Sequence, residues 1–133
     1  MPVTTENGIL SIPSAHSVDQ TVARLESLLQ AKGIKPFALV DHSGEAETAG
    51  LHMLNTKVLI FGNPNAGTAL ILAAAGTAID LPLKILIAKA ADGSVSVSWT
   101  DPVWLQQRHG FPPELAANIA AVELLAKRAA EQA

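Results

Sequence analysis

The sequence predicts one α+β domain over residues 1–133, with elements in the order β-α-β-β-β-β-α and short helices inserted between them. Three observations carry this. Strand-length apolar runs are bounded by Gly, Pro, Asn or Asp, and two longer stretches keep their apolar residues at helical spacing. No linker, internal repeat or low-complexity block divides the chain. At 133 residues it suits a single domain, which buries roughly two-thirds of the surface its unfolded form exposes.

Residues 8–13 carry Ile9, Leu10 and Ile12 and stop at Pro13, a first strand. Ser17-Val18-Asp19-Gln20 reads as a capping box, with Ser17 as N-cap and Gln20 at the third helical position. Val18, Val22, Leu25 and Leu29 follow at helical spacing and Gly33 supplies a stop, which predicts a helix over 18–32. Residues 36–42 form a short, mostly apolar second strand. Residues 44–50 are too polar for a core strand and are expected as a short helix or turn. Residues 57–61 are apolar on both faces, hence a central strand. Asn65 is expected to cap a helix that Gly76 ends. A fourth strand over 83–90 leads through the hairpin signal Ala91-Asp92-Gly93 to a fifth over 94–99. There Val95, Val97 and Trp99 face one way and Ser94, Ser96 and Ser98 the other, so one face is buried and the other is wet or lines something polar. Asp101-Pro102 opens a short helix closed by Gly110. Pro112-Pro113 starts a final helix to about residue 131, with Leu115, Ile119, Val122 and Leu125 or Ala126 inward.

Composition narrows the function classes. Hydrophobic residues make up 49% and charged residues 16%, the reverse of a disordered profile. So few charges on a small, alanine-rich chain point to a homodimer. On the final helix Ala117, Ala120, Ala121 and Ala130 offer either a packing face for a second subunit or a solvated alanine surface. A net charge of −3, with scattered cations and few aromatics, argues against a nucleic-acid partner. The chain has no cysteine, so disulfides, thiolate chemistry and Cys-based zinc sites are excluded. No pair of histidines has helical metal-site spacing, so no metal and no cofactor are expected. The longest uncharged stretch, 58–79, is broken by Gly62, Asn63, Pro64, Asn65 and Gly67, which argues against a membrane span. Residues 1–17 show no secretory signal pattern, and a cytoplasmic location is expected.

Two segments carry devices that a buried core does not need. Asp41-His42-Ser43 ends the second strand. Neighbours on a strand point to opposite faces, so these three do not line up as nucleophile, base and orienter. Either Asp41 or Ser43 closes the strand end by bonding turn amides, or His42 lines a ligand pocket, or His42 serves as a metal ligand or general base. Gly62-Asn63-Pro64-Asn65-Ala66-Gly67-Thr68 follows the third strand. It is either a tight strand-to-helix connection or a cradle of backbone N–H groups and a hydroxyl for an anion. Lys57 and Lys89 are expected to reach solvent from the sheet rim. Lys84 is the cation best placed to neutralise a bound anion. Trp99 is a core residue first and a pocket wall second. His16 and His52 are expected to be exposed, and His109 to favour the C-terminal end of its short helix.

These residues resemble the DUF302 family of small bacterial and archaeal proteins. The resemblance is most specific at Asp41-His42-Ser43, at Leu59-Ile60-Phe61-Gly62-Asn63-Pro64 with Gly67-Thr68, at Asp80-Leu81-Pro82-Leu83-Lys84, and at Arg108-His109-Gly110. It implies a TBP-like arrangement, a curved, largely antiparallel five-stranded sheet with two main helices on one face, and it implies dimers. Leu54-Asn55, Ala69 and Trp99 depart from the family pattern.

The functional expectation is a pocket between the sheet and the 61–68 turn that binds a small anionic or polar ligand. Asp41, His42, Phe61, Gly62, Asn63, Pro64, Gly67, Thr68, Lys84 and Trp99 are its candidate residues. Two other classes stay open: an enzyme with His42 as general acid/base tuned by Asp41, and a structural or sensory interaction domain without a ligand.

Overall fold

The computed structural model describes residues 3–4 and 7–132. The expected ends of the domain and part of the expected signal-free N-terminus fall outside the described residues. The chain runs β1 (Val3–Thr4), β2 (Ile9–Ser14), α1 (Val18–Ala31), β3 (Lys35–Asp41), α2 (His42–Thr48), β4 (Thr56–Gly62), α3 (Pro64–Ala73), β5 (Leu83–Lys89), β6 (Val95–Thr100), α4 (Pro102–His109) and α5 (Ala121–Ala130). Two 3-10 turns, Ala75–Ile79 and Pro113–Ile119, complete it.

Every strand pair is antiparallel, in the order β1-β2-β6-β5-β4-β3. The five expected strands form this sheet, and the two-residue β1 adds an edge. Because side chains alternate along a strand, one row on the inner face reads Leu10, Trp99, Ile85, Leu59 across β2, β6, β5 and β4. These four are buried against Val22 and Leu25 of α1 and Val122 and Leu125 of α5. The α+β class, with two main helices on one face, is as the sequence predicts.

Local signals explain most boundaries. The Ser17–Gln20 capping box is present in both directions, Gln20 N–H to Ser17 Oγ and Ser17 N–H to Gln20 Oε1, each 3.1 Å. Asp101 caps α4 through the Val103 N–H, and Gly110 ends it at φ 74°, in the left-handed region that glycine enters most readily.

Two boundaries differ from expectation. The cap of α3 is Asn63, not Asn65, because Pro64 at the first helical position makes its predecessor the cap. The last helix is split: Ala120 N–H bonds Ala117 O and Glu123 N–H bonds Ala120 O, three-residue steps that place a 3-10 turn before α5.

A second, smaller core lies at one end of the sheet, where Leu70, Leu105, Phe111 and Ile119 are buried. Leu83 packs against both cores. The junction between them positions the site.

Candidate functional site: an apolar cleft at the junction of two cores

A cleft of about 300 Å³ opens between the end of the sheet and α3. Its floor is Phe61 and Leu83. One wall is the turn Gly62-Asn63-Pro64 with Gly67 and Thr68, and the other is Leu81 and Pro82. Ile119, Ala121 and Leu125 close the end towards the last helix. The expected 61–68 turn therefore borders a cavity, and the Asp80-Leu81-Pro82-Leu83-Lys84 motif supplies the facing side.

Gly62 allows this geometry. A Cβ there would lie 3.2 Å from Phe37 Cε2 and 3.4 Å from Pro82 Cβ, so the bare backbone lets the Phe37 ring and Pro82 approach from two sides. Phe37 sits where β3 bulges, between Pro36 and Ala38, and stays 47% exposed at the cleft.

The turn is internally saturated. Pro64 has no N–H, Asn65 N–H donates to Asn63 Oδ1 at 3.0 Å, and Ala66 and Gly67 N–H both donate to Asn63 O at 3.0 Å. The cradle of free amides expected for an anion is thus occupied by Asn63 itself. Asn118 braces the same turn, donating from Nδ2 to Ala66 O at 3.2 Å.

Four candidate residues stand apart from this cleft. Asp41 and His42 lie at the far end of the β3–β4 pair, since Asp41 registers with Lys57 while Lys35 registers with Gly62. Five residues of strand separate those ends, roughly 17 Å. Asp41 caps α2: its Oδ1 accepts the Gly44 N–H at 2.9 Å and the Ser43 hydroxyl at 2.6 Å. The Ser43 hydroxyl first, then the Gly44 amide, hold the Asp41 carboxyl below the usual carboxylate range. His42 is exposed, at the first helical position, its imidazole without a hydrogen bond among the described residues.

Lys84, paired with Ile60 on the outer face, donates from Nζ to Pro82 O at 2.8 Å and Asp80 O at 3.3 Å. Burial lowers its pKa. Trp99 is buried in the inner row, its indole N–H without a partner, and does not line the cleft.

Around Asp41 lies a second, polar cleft of about 350 Å³ with Asp19, Ser43, Asn55, Lys57 and the exposed His52 on its walls. Lys57 Nζ donates to Asp19 Oδ1 at 2.8 Å, which lowers the pKa of Asp19 and raises that of Lys57. No group of three or more His, Asp or Glu placed to hold a metal occurs among the described residues.

The remaining motifs meet in space. His109 Nε2 lies 2.5 Å from Asp80 Oδ2, and Arg108 Nη1 3.2 Å from the same oxygen. His42 and His109 do not meet: His109 anchors the 80–83 segment, while His42 sits beside Asp41 at the other end of β3. Ile34, Phe37, Ile71, Ala78, Ile119, Ala121 and Leu125 line the cleft unforeseen by the sequence reading. Apolar wall residues look like any core residue until the chain is folded.

The fold and its cleft define an α+β domain built on one antiparallel sheet. The chain belongs to the family described as domain of unknown function DUF302, whose model matches residues 10–130. A crystal structure of an uncharacterized conserved DUF302 protein from Bacillus stearothermophilus shares the fold, with a TM-score of 0.76 and 17% identity over 92% of this chain and 95% of that one. Among curated proteins, the fluoride-specific ion channel FluC 1 of Brucella suis biovar 1 is 36% identical over 106 residues, 80% of this chain and 42% of that protein. FluC 2 of Brucella melitensis biotype 1 is likewise 36% identical over 106 residues, with 39% of its length covered. The chain thus spans about two-fifths of the length of these relatives. No helix among the described residues is long and apolar enough to cross a membrane.

Proposed function

We propose that this protein binds a small molecule in the cleft between the sheet and the 61–68 turn, with Phe61, Gly62, Asn63, Pro64, Gly67 and Thr68 on the turn side. The observation that carries this reading is the cleft itself: about 300 Å³ of space, walled by two of the chain's four characteristic motifs. That size is at the lower end of small-molecule sites, which are concave, largely apolar and provided with a few polar groups. In the fluoride-specific ion channels we read the shared stretch as an appended binding module.

The test uses a neutral apolar fluorophore, N-phenyl-1-naphthylamine, with wild type and Gly67→Phe. A Cβ on Gly67 meets only Leu81 Cδ1, at 3.5 Å, so a larger side chain there enters the cleft without disturbing the backbone. Wild type should enhance the fluorescence saturably and Gly67→Phe should not. Equal enhancement by both would place binding elsewhere.

A homodimer is the second part of the proposal, and the outer face of the sheet supports it. The row Ser11, Ser98, Leu86, Val58, Val40 crosses all five main strands without a charge, while α1 and α5 pack on the opposite face. An uncharged row can meet its own copy across a two-fold axis without repulsion, and Lys84, which the outer face carries beside it, is turned onto the carbonyls of Asp80 and Pro82. Sedimentation equilibrium of wild type and Val58→Lys tests it. A wild-type dimer that the lysine splits is expected, and a wild-type monomer at micromolar concentration overturns it.

A further inference from the structure

None of the residues lining the apolar cleft is charged, and its polar members are Asn63, Thr68 and Asn118. The charges closest in the chain are committed to other partners. Asp80 takes Arg108 and His109 on its carboxylate, and Lys84 spends its ammonium on the carbonyls of Asp80 and Pro82. Lys35, which does not line the cleft, holds its ammonium 5.7 Å from the centroid of the Phe37 ring. The helix start offers no replacement for a counter-ion, because the amides of Asn65, Ala66 and Gly67 all bond to Asn63.

A carboxylate or ammonium entering this space would lose its hydration and meet no opposite charge, which is strongly unfavourable. A neutral polar group loses far less. Asn118 uses its Nδ2 on Ala66 O, which leaves its Oδ1 as an acceptor. The Thr68 hydroxyl both donates and accepts. Together they match a ligand that brings one uncharged donor to an otherwise apolar body.

We propose that the cleft takes an uncharged, mostly apolar molecule bearing a single amide- or hydroxyl-type donor, and discriminates against the carboxylate and ammonium forms of the same skeleton. This rests on the reading of the cleft as a binding site. It replaces the anion expected from the sequence of the turn with a neutral ligand, because the hydrogen bonds that would have held an anion are already made.

The test is a matched series at pH 7, 4-phenylbutanamide, 4-phenylbutanoate and 4-phenylbutylamine, titrated calorimetrically into wild type and Gly67→Phe. The amide should bind wild type about tenfold or more tightly than either charged analogue, and Gly67→Phe should abolish that binding. Butanoate binding as tight as the amide, abolished by Gly67→Phe, overturns the charge selectivity while leaving the cleft a binding site. If Lys35→Gln then removes the butanoate, the selectivity failed because that ammonium reaches the ligand. No binding of any member to wild type, together with no fluorophore enhancement, overturns both readings.

Discussion

His109 Nε2 contacts Asp80 Oδ2 at 2.5 Å across 29 residues of chain, and this pair fastens the end of α4 to the segment that walls the cleft. Arg108 adds a second bond to the same carboxylate and lays its guanidinium 5.6 Å from the Trp104 ring. Leu81, Pro82 and Leu83 follow directly on Asp80, so the carboxylate holds the first residue of the wall.

Asp80→Asn keeps the shape of that side chain and removes its charge. Hydrogen bonds to charged groups contribute more than neutral ones, and the Asp80 carboxylate bonds two side chains, Arg108 and the nearly buried His109. Urea unfolding at pH 7 should show a loss of about 1–2 kcal/mol, with a matching loss in Arg108→Gln/His109→Gln. Stability unchanged within error would mean the pair forms without supporting the fold.

Gly67 is predicted to act against its usual reputation. It lies within α3 and is not among the glycines with positive φ. With only an ordinary contact waiting for a Cβ, Gly67→Ala should stabilise the protein by roughly 0.5–1 kcal/mol, the difference in helix propensity. A higher urea midpoint with an unchanged slope confirms it, and a lower midpoint would show that Leu81 cannot yield.

How far the sequence was legible depends on the range of the interaction. The Ser17–Gln20 capping box and the Asp101-Pro102 helix start are contacts within a few residues, and both are present as read. The 61–68 turn was found, but its chemistry was not, because only the bonded structure shows that Asn63 consumes the amides. The distance between His42 and that turn follows from pairing: consecutive antiparallel strands put the end of β3 beside the start of β4, whereas the turn follows the end of β4. Grouping Asp41 and His42 with Asn63 and Thr68 overlooked that reversal. The Asp80–His109 contact and the wall residues Ile34, Ile71 and Ala78 depend on tertiary packing and have no local signature.

Gly8 should tolerate no side chain. Its φ is +81°, and a Cβ built on it would collide with the ring of Trp104. The neighbouring ladder bond, Asp101 N–H to Gly8 O at 2.8 Å, holds the backbone in place. Gly8→Ala combines left-handed strain with a steric clash and should lower stability by about 2 kcal/mol or more. Gly8→Ala with Trp104→Ala should recover the steric part alone. A single mutant as stable as wild type would show that Trp104 repacks freely.

Acid should weaken the fold through the cap of α2. The Ser43 hydroxyl and the Gly44 amide bond the charged form of Asp41 and hold its folded pKa below the unfolded one, ordinarily about 3.9. The sign follows from linkage: the unfolded chain binds the proton first, so the contribution is complete above about pH 5 and disappears as pH falls through the depressed folded value. Asp19, held low mainly by its hydrogen bond from Lys57, acts in the same direction. Asp41→Asn keeps an acceptor for Gly44 but cannot titrate, so its stability should fall less between pH 6 and pH 3 than that of wild type. His42→Ala, at an exposed position, should leave the midpoint at pH 7 near that of wild type. Urea midpoints of the three proteins across this range and at pH 7 make the comparison, and parallel curves for wild type and Asp41→Asn would show that the cap carries no charge-dependent stability.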